Sequence, residues 1–122
     1  MAERVEKRSF IRLNIKANIR YRTVKSSSKL LKRDPEAEQL SVIKNLSAGG
    51  LVFVAHKQIP VGSIVELRIE LPAAENAIEC SGRVVRIEEI EIEKSYDIAV
   101  CFLDLSGADR MKLEQFVKSE IF

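Results

Sequence analysis

Residues 63–71 read SIVELRIEL, and this stretch decides the fold. Val65, Leu67, Ile69 and Leu71 fall on one side of an extended chain, with Glu66, Arg68 and Glu70 on the other. A period of two is the signature of a strand with one face in the core and one in water. Upstream, NIKANIRYR at 14–22 repeats the pattern, with Ile15, Ala17, Ile19 and Tyr21 inward and Asn14, Lys16, Asn18, Arg20 and Arg22 outward. LSVIKN at 40–45 and LVFVA at 51–55 read as two further strands joined by the turn SAGG at 47–50. Pro60 and Gly62 mark a turn before residue 63, and PAAEN at 72–76 marks another. AIECSGRVVRIEEIEIE at 77–93 is long for one strand, and Gly82 is the expected place for a bulge or sharp bend. YDIAVCFLDL at 96–105 is the last strand, and KSSSKLLKRDPEAEQ at 25–39 reads as a loop with room for a short helical turn.

The end of the chain changes period. Ser106 and Asp109 fit the start of a helix, a capping oxygen followed three residues later by an acid that the helix dipole favours. Met111, Leu113, Phe116, Val117 and Ile121 follow near helical spacing, giving an apolar stripe to pack on the sheet. Six short strands and one final helix predict a mainly-β fold, a small six-stranded antiparallel β-barrel with a C-terminal α-helix. The expected organisation is one domain over 1–122: a flexible basic segment at 1–12, the barrel at 13–105 and the helix at 106–122.

Composition bounds the function. The chain has 122 residues, 46% hydrophobic and 31% charged, which suits a single domain with one core and a well-solvated surface. No apolar run approaches the roughly 18 residues of a membrane helix, and MAERVEKRSF lacks the apolar stretch of a secretory signal. Cys80 and Cys101, the only cysteines, are expected to be buried thiols in a reducing compartment, so the chain is read as cytoplasmic. Residues 1–33 carry eleven Lys/Arg against two Glu, a net +9, and the rest of the chain carries −7. A basic front on an acidic body suggests a localised anion site rather than a surface that coats nucleic acid.

Little in the chain is equipped for catalysis. His56 is the only histidine and has no serine or cysteine nucleophile near it in sequence. Glu88, Glu89, Glu91 and Glu93 surround Ile90 and Ile92 as a wet strand face would. There is no phosphate loop, dinucleotide fingerprint or zinc spacing, so the chain is read as a non-enzyme without cofactor or metal. Two constellations remain. Arg8 and Arg12, four apart on the approach segment, can each grip phosphate in a planar fork, take the O6 and N7 acceptors of guanine, or stack on the base. Asn45 and Ser47 alternate along a strand end and offer an amide and a hydroxyl on one side. Gly49 and Gly50 after them permit a positive φ and a close approach of a ligand to the backbone.

Arg8-x-x-x-Arg12, then Asn45-x-Ser47-x-x-Gly50 at a strand end, a small barrel and a final helix resemble the PilZ domain, whose two signatures are R-x-x-x-R and [D/N]-x-S-x-x-G in this order. Both are complete, and the resemblance runs from about Lys7 to the end of the chain. Ser81-Gly82-Arg83-Val84 and the stretch from Tyr96 to Phe102 look similar too, with one departure at Ala99, where many family members have glycine; that difference is expected to affect packing more than binding. The resemblance implies a bacterial cytoplasmic receptor for cyclic di-GMP. It assigns the phosphate and guanine contacts to Arg8 and Arg12, and the far side of a guanine to Asn45, Ser47, Gly49 and Gly50. Lys7, just before the first arginine, is the position that bears on whether one ligand or a stacked pair is held, and a basic residue there would tolerate two. Arg4, Arg20 and Arg22 are candidates for further contacts. Ligand would order the segment 1–12 on the barrel and change a surface for an effector protein in motility, pilus, polysaccharide or regulatory machinery, without membrane insertion. Two other readings compete: a protein-interaction module of the same fold that binds no nucleotide, and a small nucleic-acid-binding barrel using Lys16, Arg20 and Arg22. The second is disfavoured, because residues 1–33 hold only Phe10 and Tyr21 for base stacking.

Overall fold

The computed structural model describes residues 17–24, 38–72 and 74–121. Six strands precede one helix: β1 (Ala17–Thr23), β2 (Gln39–Leu46), β3 (Gly50–Ala55), β4 (Ile64–Glu70), β5 (Ile78–Glu91), β6 (Ser95–Phe102) and α1 (Gly107–Ile121). The strands run round a closed barrel in the order β1-β2-β3-β6-β5-β4, with every neighbouring pair antiparallel and β1 bonded to β4 at the seam. The mainly-β barrel expected from the alternating stretches is the observed fold, and closure removes the sheet edges that would otherwise invite pairing with other chains. Of the loop expected at 25–39, residues 25–37 lie outside the described residues, and Gln39 already belongs to β2.

Alternation does what SIVELRIEL promised. Val65, Leu67 and Ile69 of β4 point into the core beside Ala17, Ile19 and Tyr21 of β1, all buried. The Tyr21 ring packs against Phe53 of β3 with centroids 4.4 Å apart. Each fully buried Ile, Leu, Val or Phe is worth about 1.5–3 kcal/mol relative to exposure, so this interior drives the closure. On the wet face, Arg22 faces Glu66 and Arg68 faces Glu79 directly across the ladder, while Arg20, which lies opposite Arg68, reaches diagonally to Glu70 at 3.1 Å.

Two features of β5 depart from the sequence reading. No bulge falls at Gly82, which pairs in register with Val65 on one side and Phe102 on the other. A Cβ there would lie 3.2 Å from a Leu67 methyl and 3.3 Å from the Cys101 carbonyl oxygen, so glycine serves close packing rather than a bend. The register shifts come later, between Val84 and Arg86 and between Glu89 and Glu91, making Val85 and Ile90 the extra residues. In addition, β5 pairs with β4 only through Arg83, opposite Ile64, and the last backbone bonds on that side join Val84 to Gly62 and Ser63. From Val85 onward β5 has β6 on one side and no strand on the other among the described residues, while β6 goes on pairing with β3 as far as Tyr96, so this end of β5 and its turn into β6 form a ribbon at the margin of the barrel.

The helix starts as its sequence indicated. Ser106 caps it, its Oγ accepting the Asp109 N–H at 3.1 Å while its carbonyl accepts the Arg110 N–H at 2.9 Å. Leu113 and Val117 enter the core and Phe116 packs at its margin, but Met111, expected in the apolar stripe, is exposed. Two buried positions are enough to dock a helix against a barrel end that the strands have already filled. The cysteines also differ from expectation. Both are free, Cys80 is half-buried and Cys101 is exposed, because Cys101 lies on the outward parity of β6 between buried Val100 and half-buried Phe102. Among the described residues no helix is long and apolar enough to cross a membrane.

Candidate functional site

The motif Asn45–Gly50 lies where β2 turns into β3. Its geometry begins one residue earlier. Ile43 pairs with Phe53, whereas Asn45 pairs with Val52, so Lys44 is an extra residue in β2. Without that bulge Asn45 would repeat the inward parity of Ile43. With it, Asn45 turns outward and is half-buried, while Leu46 takes the core position opposite Leu51. A bulge of this kind re-aims a side chain at the cost of one ladder position.

Ser47 is buried, and its hydroxyl ties the turn together. Its Oγ accepts the Gly49 N–H at 3.2 Å and donates to the Gly50 carbonyl at 3.3 Å, and its own N–H bonds the same carbonyl at 3.0 Å. The glycines do not take the left-handed conformation expected of them. Among the described residues only Gly62 at 95° and Glu93 at 58° have positive φ. Gly50 is instead required by its own sheet: a Cβ there would sit 2.1 Å from the Val100 carbonyl oxygen. The close approach foreseen for a ligand is thus made by β6. The turn is held from outside as well, by Arg110 of α1, whose guanidinium donates to the Ala48 carbonyl at 2.9 Å.

Register extends the site across the barrel. Asn45 faces Val52, Val52 faces Ala99, and Ala99 faces Arg86, one row over β2, β3, β6 and β5 on the outer surface. At strand spacings of about 4.8 Å the row is about 14 Å long. Its middle is low and apolar, Val52 and Ala99 being nearly buried, and its ends are an amide and an exposed guanidinium. The bulge at Val85 does for Arg86 what the bulge at Lys44 does for Asn45, turning it from inner to outer parity. Arg86 was not singled out in the sequence; its only signal was a second valine after Val84, which breaks strict alternation. Lys7, Arg8 and Arg12 lie outside the described residues, as do Arg4 and Lys16.

Elsewhere the surface is less suited to an anion. Arg20 and Arg22, considered for further contacts, line a cleft of about 390 Å³ with Glu66, Arg68 and Glu79, and their charges are met by Glu70 and Glu66. A second groove of about 510 Å³, lined by Thr23, Ile59, Pro60 and Ile64 among others, contains no charged side chain. Burial, then the charges of Asp104 and Asp109, push the Cys80 thiol up to about 12, which leaves it an unreactive thiol at neutral pH. His56 is exposed, with Nδ1 3.3 Å from the Lys94 carbonyl oxygen. No group of three His, Cys, Asp or Glu among the described residues is placed to hold a metal ion.

Solved structures share this architecture. The motility inhibitor MotI/DgrA of Bacillus subtilis superposes with a TM-score of 0.76 at 21% identity, covering 98% of this chain and 53% of that one. This chain therefore spans about half the length of MotI/DgrA. The PilZ domain of YcgR from Escherichia coli, solved with c-di-GMP, gives 0.64 at 12% identity and covers 93% of this chain and 91% of that one. MrkH of K. pneumonia in its apo state gives 0.67 at 16% identity, over 99% and 53%. No curated protein matches the chain. The match that reaches beyond shape is to the PilZ domain itself, over residues 6–119, so the chain belongs to the PilZ domain family.

Proposed function

We propose that this protein is a bacterial cytoplasmic receptor for cyclic di-GMP, and that it acts by binding rather than by catalysis. The observation that carries the reading is family membership over residues 6–119 in a chain that keeps both signatures, Arg8-x-x-x-Arg12 and Asn45-x-Ser47-x-x-Gly50. The ligand has two phosphates and two guanines. Arg8 and Arg12 supply forked donors for phosphate and for the O6 and N7 edge of guanine. Asn45, turned outward by the Lys44 bulge, supplies an amide for a base edge. Ser47 and Gly50 act indirectly: one knits the turn and the other lets β3 lie against β6, so that Asn45 is held in place. Val52 and Ala99 form a flat apolar floor on which a purine can lie, and Arg86 closes its far side. On this reading Ala99 bears on the ligand as well as on packing, since its methyl is part of that floor.

Ligand bridging 1–12 to the Asn45 row orders the segment on the barrel and changes the surface offered to an effector protein, with Lys7 setting whether one or two molecules are held. Family membership and the c-di-GMP complex of the YcgR PilZ domain support the ligand class. The nucleic-acid alternative loses support where Arg20 and Arg22 face Glu70 and Glu66, because an anion would first have to displace those carboxylates.

Calorimetric titration with cyclic di-GMP, with GTP as control, tests the reading. Saturable binding is expected for the wild type, and at least a tenfold loss for Arg8→Ala/Arg12→Ala with an unchanged melting temperature. Asn45→Ala should weaken binding without unfolding the protein. Wild-type affinity in the double-arginine variant would remove the proposed site.

A further inference from the structure

Beyond Val85, β5 is held by β6 alone among the described residues, yet it and the turn after it carry branched aliphatic side chains in water. Val85 is 50% exposed, Ile90 51% and Ile92 80%. Val85 and Ile90 are also the two extra residues of the β5 bulges, so neither has a partner across the ladder. Bulges and charges are ordinary ways of blunting a free strand edge, but blunting needs only polar residues. Three aliphatics within eight positions are a different choice, of the kind found at protein interfaces.

Between them stand Glu88, Glu89, Glu91 and Glu93, all exposed. Glu89 accepts the Glu93 N–H at 2.6 Å, and Glu91 accepts the Ser95 hydroxyl at 3.5 Å. None of the four is in an ion pair among the described residues. Acids elsewhere on the barrel are treated differently: Glu66, Glu70, Glu79 and Asp97 each face an arginine or lysine. Over 88–94 the charge is four acids against Lys94. A second copy docking ribbon to ribbon would set these carboxylates against one another, and an anionic membrane would repel them.

We propose that the β5–β6 ribbon, Val85 to Ser95, is a docking surface for a protein partner whose face is basic and apolar together. Lysine or arginine side chains of the partner pair with Glu88, Glu91 and Glu93, and its apolar groups cover Ile90 and Ile92. The proposal goes beyond the nucleotide reading and stands without it: of Val85 to Ser95 only Arg86 belongs to the row from Asn45 to Arg86, and none of the residues set against the partner does.

The test uses the full chain, ¹⁵N-labelled, and a synthetic 18-residue amphipathic peptide of lysine and leucine. A glutamate–leucine peptide and a lysine–serine peptide of the same length are controls. The lysine–leucine peptide is expected to shift amides of 85–95, and to bind at least tenfold more tightly than either control. Ile90→Ser/Ile92→Ser and Glu88→Lys/Glu91→Lys should each weaken it at least fivefold while leaving cyclic di-GMP titration unchanged. Shifts centred outside the ribbon, or equal affinity in both variants, would overturn the proposal. So would wild-type self-association by sedimentation that disappears in Ile90→Ser/Ile92→Ser, which would assign the ribbon to a second copy. Loss of cyclic di-GMP binding alone would touch only the receptor reading.

Discussion

From Ile78 to Arg83, β5 is paired with β4, and over Gly82 and Arg83 with β6 as well; from Val85 to Glu91 it has β6 alone beside it among the described residues. In the enclosed half, inward Ile78, Gly82 and Val84 are buried and outward Glu79 is paired with Arg68. In the projecting half, the aliphatics Val85 and Ile90 are exposed and the glutamates have no cationic partner among the described residues. Both halves read as strand, and both alternate acid with aliphatic over part of their length. The difference is which strand lies alongside. Beside β4, alternation becomes a core face and an ion-paired face, whereas beside β6 alone the same residue types are left available to another molecule.

Truncating the enclosed half should do the most damage. Ile78→Ala, at a site 1% exposed, is expected to cost about 2–5 kcal/mol in urea unfolding. A loss under 1 kcal/mol would mean that this half is no better anchored than the ribbon.

The alkaline limb of stability should come next. The folded protein holds the Cys80 proton up to about pH 12, while the unfolded chain releases it near 9.0. The resulting stabilisation is complete below pH 9 and lost as pH rises through 12. Burial also raises Tyr21, which acts in the same direction. Stability of the wild type should therefore fall above pH 9, and less steeply in Cys80→Ala. A ribbon variant such as Ile92→Thr should keep the wild-type slope.

The ion-paired face should matter less. Arg68→Ala removes contacts to Glu79 and, at 3.7 Å, to Glu70, and exposed pairs of this kind are worth about 0.2–1 kcal/mol. The loss should shrink in 1 M salt. Smallest of all, Ile92→Thr should change stability by about 0.5 kcal/mol or less, because at 80% exposure it buries almost nothing. A larger loss would mean that the ribbon supports the barrel after all.

Much of this molecule could be read from the chain. The strands of SIVELRIEL and LVFVA, the turn between β2 and β3, and the helix capped by Ser106 all appear where alternation, glycine and a capping hydroxyl placed them. These signals are local: each depends on residues within four or five positions of one another. Asn45 and Ser47 were visible as a pair, but their separate jobs were not. Whether a hydroxyl faces a ligand or closes its own turn depends on where the Gly49 N–H and Gly50 carbonyl come to rest. Gly50 was visible as a glycine, while the reason for it, the Val100 carbonyl of β6, lies fifty residues away.

The sequence by itself determined a six-stranded barrel with a final helix, because side-chain parity is a property of each strand alone. It also determined the family, through motifs that are contiguous in the chain. Only the tertiary structure decided which side of the barrel those parities would serve. The bulges at Lys44 and Val85 reverse parity within a strand, bringing Asn45 and Arg86 to one outer row, and a bulge exists only relative to the strand opposite. The same dependence exposes Cys101 and leaves Ile90 and Ile92 in water: β4 ends its pairing at Ile64, so among the described residues no strand lies on the second side of β5 beyond Val85.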